Sequence, residues 1–315
     1  MTSALPNRIV HAPGDPDWLA DLTRSLSPET RWRRQEPLAK RTTLRVGGPA
    51  DLLIEPATEA DLAAVLQLCQ AQRVPVLILG RGSNLLVQDA GFRGVVVCLT
   101  HAEFTQVEVR ECGLHCGAGA KLKAVAQAAK RHGLGNLEFL EGIPGSVGGA
   151  LRMNAGASGS ALFDVVERVR FMEFTGQVAE RRGAEVGAEY RSCPFFRERV
   201  ALSAVLVGDP AERKAIEARM LAFNQRRWRS QPAAPSAGCI FKNPGTQSAG
   251  RLIDELGLKD LRVGGARVSR EHANFIVNDG GATAREVLAL IELIRQRVRA
   301  ERGVELELEV QVVGD

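Results

Sequence analysis

The segment Gly80-Arg81-Gly82-Ser83-Asn84-Leu85-Leu86, directly behind the apolar run Val74-Pro75-Val76-Leu77-Ile78-Leu79, constrains this chain more than any other feature. A buried strand running into a loop of small residues leaves several backbone N–H groups unpaired and uncrowded, the arrangement a pyrophosphate requires. The loop therefore predicts binding of a nucleotide-like cofactor. A second run, Glu141-Gly142-Ile143-Pro144-Gly145-Ser146-Val147-Gly148-Gly149-Ala150, continuing through Met153-Asn154-Ala155-Gly156-Ala157, narrows the reading. Glycine at this density lets backbone approach a ligand closely and supplies positive φ where a turn needs it. Two such loops can wrap one extended dinucleotide. The Rossmann fingerprint is disfavoured: it needs GxGxxG opening a helix, with an acidic residue about 20 positions on, and Leu85 stands where the third glycine belongs.

Composition bounds the class. With 315 residues, 45% hydrophobic and 25% charged, the chain suits a soluble protein of one large domain or two to three smaller ones. Lys+Arg 41 against Asp+Glu 37 gives a net charge of +4, too balanced for a general nucleic-acid binder but suited to an enzyme with anionic ligands. The densest basic cluster, Arg226, Arg227 and Arg229 around Trp228, reads as a solvated helix end, with phosphate steering as the alternative. Aromatic residues at 5% are too few for a single-strand stacking platform, so no nucleic-acid partner is expected. The chain has no apolar run of about 20 residues, and its N-terminus carries Asp15, Asp17 and scattered prolines instead of a hydrophobic signal core; a cytoplasmic protein with no membrane partner is expected.

The six cysteines, Cys69, Cys98, Cys112, Cys116, Cys193 and Cys239, lie far apart and read as reduced thiols. Cys112 and Cys116 flank His115 without a second ligand pair, so no metal site is expected. Cys69 falls with Leu62, Val65 and Leu66 at helical spacing and reads as core.

Along the chain, residues 1–40 read as an extension with one short helix near Trp18 to Leu26. Asp51 to Glu55 reads as a strand, Glu59 to Gln72 as a helix capped by Thr58, and Val74 to Leu79 as the next strand, a βαβ unit. Strands are predicted at Gly94 to Leu99 and Thr105 to Arg110, then a helix from Lys121 to His132 stopped by Gly133. Strands at Val165 to Phe174 and Val200 to Val207 bracket Tyr190-Arg191-Ser192-Cys193-Pro194-Phe195-Phe196. Glu212 to Trp228 reads as an amphipathic helix that exits through a linker, Ser230 to Ser236. Thr283-x-x-Glu286 is a capping box ahead of Val287, Leu290, Ile291, Ile294 and Val298, predicting a helix over 284–301 ended by Gly303. Val304 to Val312 alternates apolar and polar, which predicts a strand with one buried face.

The ordered series Thr43-Leu44-Arg45-Val46-Gly47-Gly48-Pro49-Ala50-Asp51, GxGSNLL, GIPGSVGGALRMNAGA, Tyr190-Arg191-Ser192, Ala237-Gly238-Cys239-Ile240-Phe241-Lys242-Asn243-Pro244 and Leu306-Glu307-Leu308-Glu309-Val310 resembles the UDP-N-acetylenolpyruvoylglucosamine reductase (MurB) family. The likeness runs from about Arg41 to Gly314, and the spacing between Tyr190 and Cys239 is similar to that of the family's shorter type, which lacks an extra insertion. It implies an α+β protein: a two-part FAD-binding α/β domain of the FAD-linked oxidase (PCMH) type over 41–208, with subdomains of about 41–100 and 101–208, then a smaller α+β substrate domain over 209–315, its C-terminal strand near the active site. It also implies reduction of UDP-N-acetylenolpyruvoylglucosamine with FAD and with NADPH as co-substrate; a monomer and non-covalent FAD are expected. Neither loop offers a His or Cys to tether flavin.

The resemblance assigns Arg45, Gly47, Gly80, Arg81, Gly82, Ser83, Asn84, Leu85, Gly142, Ile143, Pro144, Gly145, Ser146, Gly148, Gly149, Asn154, Ala155 and Gly156 to the cofactor, and Tyr190, Lys242 and Asn243 to substrate. Arg191 matches the family's carboxylate-holding arginine, where a planar guanidinium suits a planar carboxylate. Glu309 matches its C-terminal glutamate; periodicity alone leaves Glu305, Glu307 and Glu309 equivalent on one polar strand face. Cys239 departs from the family's usual serine proton donor, although a thiol, with a free pKa of about 8.5, releases a proton more readily than an alcohol. That value predicts an alkaline loss of turnover that serine would not show. Arg251, His272 and Asn274 lie in similar segments without an assigned role. Two other readings stay open on residues alone: a different FAD-linked oxidase, disfavoured by the Cys239 to Pro244 motif, and a non-catalytic nucleotide-binding module, which has no need of Arg191, Cys239 and Glu309 together.

Overall fold

Thr58 opens the helix Glu59–Gln72 by accepting the Asp61 N–H on its hydroxyl while the Asp61 carboxylate takes the Thr58 N–H, a reciprocal cap that satisfies two otherwise orphaned donors. The computed structural model describes residues 16–110, 113–157 and 159–314; Cys112 lies outside them. The first sheet has the spatial order Arg31–Pro37, Pro49–Glu55, Phe92–Val97, Val76–Ile78. Strands 49–55 and 76–78 both run parallel to 92–97, so the expected βαβ unit straddles that strand instead of pairing its own two. Val76–Ile78 is thus an edge, and it is half-exposed where a buried strand was expected. At the opposite edge, Arg31–Pro37 pairs antiparallel with 49–55. Those residues, expected within an extension, carry no apolar alternation and all but Glu36 are exposed, so nothing in their pattern announces a strand.

The second sheet is antiparallel, in the order Val178–Arg182, Val166–Glu173, Arg199–Leu206, Gly113–Gly117, Val107–Arg110. It shares one core with the helices Glu59–Gln72 and Leu122–Arg131, through Leu66, Val97, Val125, Phe171 and Leu206 among others. Ile216 and Met220 of the helix Arg213–Ser230, expected in the last domain, are buried in this same core.

A third sheet, Ser236–Cys239, Phe275–Asn278, Ala266–Val268, Arg262–Val263, is covered by the helix Ala284–Arg302. Val287, Leu290, Ile291, Ile294 and Val298 bury one helical face, the Thr283–Glu286 box starts it and Gly303, at φ +66°, stops it. Its core also takes Leu44, Val46 and Leu86 from the first part of the chain. Asp89 adds a cap from outside, accepting the N–H groups of Ala284 and Arg285 at 2.7 and 3.0 Å.

The predicted strand over 304–312 is largely absent. A regular strand forms only at Gln311–Val313, parallel to Leu85–Val87. Upstream the chain crosses the end of the 236–239 strand: Glu307 O accepts from Lys242 N, and the N–H groups of Glu309 and Val310 both go to Ile240 O. Alternation survives in burial, with Leu306 and Val310 inside, but the ladder does not.

Candidate active site

Both glycine loops arrive at one place. Gly80 lies so close to the second loop that a Cβ there would stand 2.6 Å from Ser146 Oγ, and Gly82, at φ +59°, would put one 2.5 Å from Arg41 O. Ser146 is buried and caps the short helix Val147–Met153 through Gly149 N. Gly148 packs near Ala118, and Gly145 comes within reach of Leu122. Gly142 differs: a Cβ added there meets nothing within 4 Å. No internal packing demands glycine at that position, which leaves the backbone there open to close approach. Among the described residues, none of the N–H groups of Gly80, Arg81, Gly82, Ser83 and Asn84 meets a protein acceptor. A pyrophosphate needs such a row of donors, so the two loops fit FAD. Gly142, Ile143, Pro144 and Gly149 line the accessible side of the second loop and Arg81 is exposed beside the first.

Other residues that the resemblance assigns to the cofactor make contacts within the protein. Arg45, at φ +57°, is exposed, and its carbonyl takes a hydrogen bond from Asn278 Nδ2 at 3.3 Å. Gly47, at φ +125°, lies where a Cβ would strike Val87. Asn154, at φ +41°, donates to Glu189 O and accepts from Phe163 N, and so ties the second loop to the turn that bears Arg191. Ala155 N closes on Ala150 O. Gly156 leaves room for the arginine: a Cβ there would stand 2.9 Å from Arg191 Nη1. Asn84 sends its side chain away from the loop, its Nδ2 donating to Glu309 O at 3.0 Å, and Leu85 begins the pairing with Gln311.

Arg191 sits in a tight turn in which Glu189 and Ser192 exchange both backbone hydrogen bonds. Its φ of +54° is rare for a side-chain-bearing residue and costs on the order of 1 kcal/mol or more, a strain that concentrates where geometry matters to function. The guanidinium lies 5.0 Å from the Tyr190 ring centroid, and Arg191 Nε reaches Glu309 Oε1 at 3.1 Å.

The three glutamates left equivalent by periodicity separate here. Glu305 pairs with Arg299 and Glu307 with Lys242, their side chains 59% and 72% exposed, whereas the Glu309 side chain is 17% exposed against Arg191. Burial raises the Glu309 carboxyl above the ordinary range, with the Arg191 cation opposing the shift.

Cys239 ends the strand that abuts the first loop. Gly238, at φ +77°, would place a Cβ 3.7 Å from Ser83 O. Thr43 secures the join, its N–H donating to Gly82 O at 3.1 Å and its hydroxyl to Ser236 O at 2.7 Å. Burial, then the Glu309 carboxylate, push the Cys239 thiol up to about 12, against the pull of Arg191 and a hydrogen bond with Asn274. The thiol therefore stays protonated far above its free value, and the alkaline loss expected from a free thiol moves with it.

An open groove of about 370 Å³ runs past Tyr190, Lys242, Asn243 and Gly245 to Glu305 and Glu307. Tyr190 is 54% exposed there. Lys242 Nζ is engaged by Glu307 at 2.5 Å, and Asn243 Oδ1 accepts from Ala249 N at 3.0 Å, which leaves its amide N–H groups for a ligand.

Sequence reasoning gave Asn274 no role. It is 3% exposed and clamps Phe241 from both sides, accepting its N–H at 3.0 Å and donating to its carbonyl at 2.8 Å. The signal was an amide between Ala273 and the apolar Phe275-Ile276-Val277, which must find partners once buried. Glu138 and Glu141, both buried, were also passed over. Glu138 takes two bonds from Arg219; Glu141 takes Gln127, Asn224 and Lys123, and so the segment feeding the second loop is fastened to the helix 213–230. Of the basic cluster on that helix, Arg226 and Arg229 are exposed, whereas burial lowers the Arg227 guanidinium against the pull of Glu141.

Residues 231–313 match the family model for the UDP-N-acetylenolpyruvoylglucosamine reductase C-terminal domain, and residues 50–181 match an FAD binding domain. The chain is 46% identical over 290 residues to the UDP-N-acetylenolpyruvoylglucosamine reductase of Heliobacterium modesticaldum, covering 90% of this chain and 91% of the relative. It is 44% identical over 285 residues to that of Geobacter metallireducens, with 90% and 94% covered. The crystal structure of the reductase from Thermus caldophilus superposes with a TM-score of 0.78 at 40% identity, covering 90% of this chain and 99% of that one.

Proposed function

The chain belongs to the UDP-N-acetylenolpyruvoylglucosamine reductase (MurB) family, and from that membership we propose how Arg191, Cys239 and Glu309 divide its reaction. The protein is an FAD-dependent oxidoreductase of peptidoglycan synthesis that reduces UDP-N-acetylenolpyruvoylglucosamine to UDP-N-acetylmuramate with NADPH as donor. When bound, FAD supplies hydride transfer from NADPH to the methylene carbon of the enolpyruvyl ether.

Hydride at that carbon leaves negative charge on its neighbour and on the attached carboxylate. Arg191 holds the carboxylate with a preorganised cation, placed where charge grows as the reaction proceeds. Glu309 lies against Arg191 and faces the same group; its raised affinity for a proton lets it share one with the substrate carboxylate instead of repelling it. Cys239 Sγ–H gives its proton to the carbanion, which completes the reduction, and the thiolate recovers a proton from solvent. Tyr190, Lys242 and Asn243 line the groove that would take the rest of the substrate, Lys242 exchanging Glu307 for phosphate charge.

The observation that carries this reading is the partly buried Arg191–Glu309 pair at 3.1 Å, held by the Glu309 N–H to Ile240 O, one residue past Cys239. The test is to follow flavin absorbance in the purified protein: NADPH bleaches the yellow colour and UDP-N-acetylenolpyruvoylglucosamine restores it under anaerobic conditions. Colour that returns only with oxygen would favour an oxidase. We further take the enzyme to be a cytoplasmic monomer, in keeping with a water-soluble nucleotide-sugar substrate; gel filtration at micromolar concentration checks the monomer.

A further inference from the structure

We propose that Asn84 is a positioning residue for Glu309, fixing the C-terminal segment against the first glycine loop so that the glutamate meets Arg191. The proposal rests on the reading of Glu309 given above.

Asn84 makes two contacts with this segment. Its Nδ2 donates to Glu309 O at 3.0 Å, and its own carbonyl accepts from Gln311 N at 3.0 Å. The parallel pairing of Leu85–Val87 with Gln311–Val313 starts at the next residue. On the other side, Glu309 N donates to Ile240 O at 2.8 Å, one residue past Cys239. The Glu309 backbone is thus held at both of its polar groups, N–H by the strand bearing Cys239 and C=O by the loop bearing Asn84. With both flanking peptides fixed, the direction of the Glu309 side chain is set, and Arg191 at 3.1 Å selects its conformer.

The second donor to the same carbonyl, Gln311 Nε2, stands at 3.3 Å on an exposed side chain and competes with water. Asn84 is the shorter and more buried of the two. Residue 84 must therefore present an N–H donor: aspartate would set an acceptor against an acceptor, and alanine would leave the carbonyl to Gln311 and solvent. The Asn84 backbone N–H remains with the loop's row of free donors, so one residue serves the cofactor with its main chain and the catalytic carboxylate with its side chain.

A double-mutant cycle on FAD-loaded protein tests this, using Asn84→Ala, Glu309→Gln and the pair, and reading reoxidation of reduced flavin by substrate in stopped flow. Asn84→Ala is expected to slow that step by about 10-fold to about 100-fold, the cost of misplacing a group without removing it. Glu309→Gln is expected to cost far less in the Asn84→Ala background than alone, because a displaced carboxyl has little left to lose. Asn84→Asp should resemble Asn84→Ala, and Gln311→Ala should stay near the native rate. Hydrogen exchange of peptides spanning 305–313 should accelerate in Asn84→Ala, while FAD affinity, titrated by flavin fluorescence, should change much less than the rate. Additive mutants, or a loss of FAD affinity that matches the loss of rate, would overturn the positioning role. If Glu309→Gln alone leaves the step unchanged, the reading of Glu309 itself fails; a slow Glu309→Gln beside a silent Asn84→Ala overturns the positioning role alone.

Discussion

Arg191 Nε and Glu309 Oε1 meet at 3.1 Å across 118 positions of sequence, one on a strained turn beside the second sheet and the other where the chain crosses the end of the third. The contact joins the part of the molecule that carries the glycine loops to its C-terminal part. On the proposed assignment, a substrate carboxylate entering here would meet a cation whose charge is partly satisfied and an acid whose proton affinity is raised, which suits a group that gains charge during the reaction and loses it afterwards.

Arg191→Lys is expected to slow flavin reoxidation by substrate on the order of 100-fold, since a point charge replaces a planar fork where charge develops. Flavin reduction by NADPH should fall far less. Stopped-flow measurement of the two half-reactions checks this; equal losses in both would place Arg191 in general nucleotide binding.

Glu309→Gln should damage the substrate half-reaction far more than Glu305→Gln or Glu307→Gln. The last two remove solvent-exposed ion pairs, which contribute no more than about 1 kcal/mol to stability. Three mutants with similar kinetics would mean that the Arg191 contact does not select the working carboxyl.

The difficulty of choosing among these glutamates shows where sequence stops. Thr58 with Asp61 and Thr283 with Glu286 were legible because a cap is written within four residues. The glycine loops were legible because backbone donors and small residues lie in one continuous stretch. Glu309 was legible only through the family motif and not from periodicity, because its orientation depends on Ile240 and Asn84, which are distant in sequence and contribute backbone and amide contacts that leave no periodicity. The edge strand Arg31–Pro37 was missed for a related reason: with one flank unpaired and its side chains in solvent, it needs no apolar alternation.

Asp61 should be a stability residue with a defined pH signature. Burial works to raise its pKa, and hydrogen bonds from Ser27, Thr58 and Thr30 overcome that and lower it from 3.8 to about 2. Because the folded pKa lies below the unfolded one, its stabilisation is complete above the unfolded value and is lost as pH falls through about 2. Asp61→Asn, which cannot accept both the Ser27 and Thr58 N–H groups, is expected to lose about 2 kcal/mol at neutral pH. Urea midpoints across an acid series should show native and variant converging toward the low-pH end; a constant gap would assign the loss to packing instead.

Cys239 offers the strictest test of the site. If its thiol protonates the carbanion, Cys239→Ala should slow turnover by about 10²–10⁴-fold, the usual contribution of a positioned acid, with flavin reduction by NADPH far less affected. Cys239→Ser should recover much of the rate, because a hydroxyl at the same atom can donate along the same line. The pH profile discriminates further. A free thiol would ionise near 8.5, whereas burial and the Glu309 carboxylate push this one up to about 12. The donor therefore keeps its proton as pH rises, and native enzyme and Cys239→Ser should share the same profile up to about pH 10. Alkylation should be slow for the same reason, since the thiolate is the nucleophile. An alkaline limb near the free-thiol value, present in the native enzyme and absent from Cys239→Ser, would show that the sulfur is far better solvated than its position beside Glu309 and Asn274 allows. Full activity of Cys239→Ala would remove the thiol from the mechanism and leave the proton to another donor.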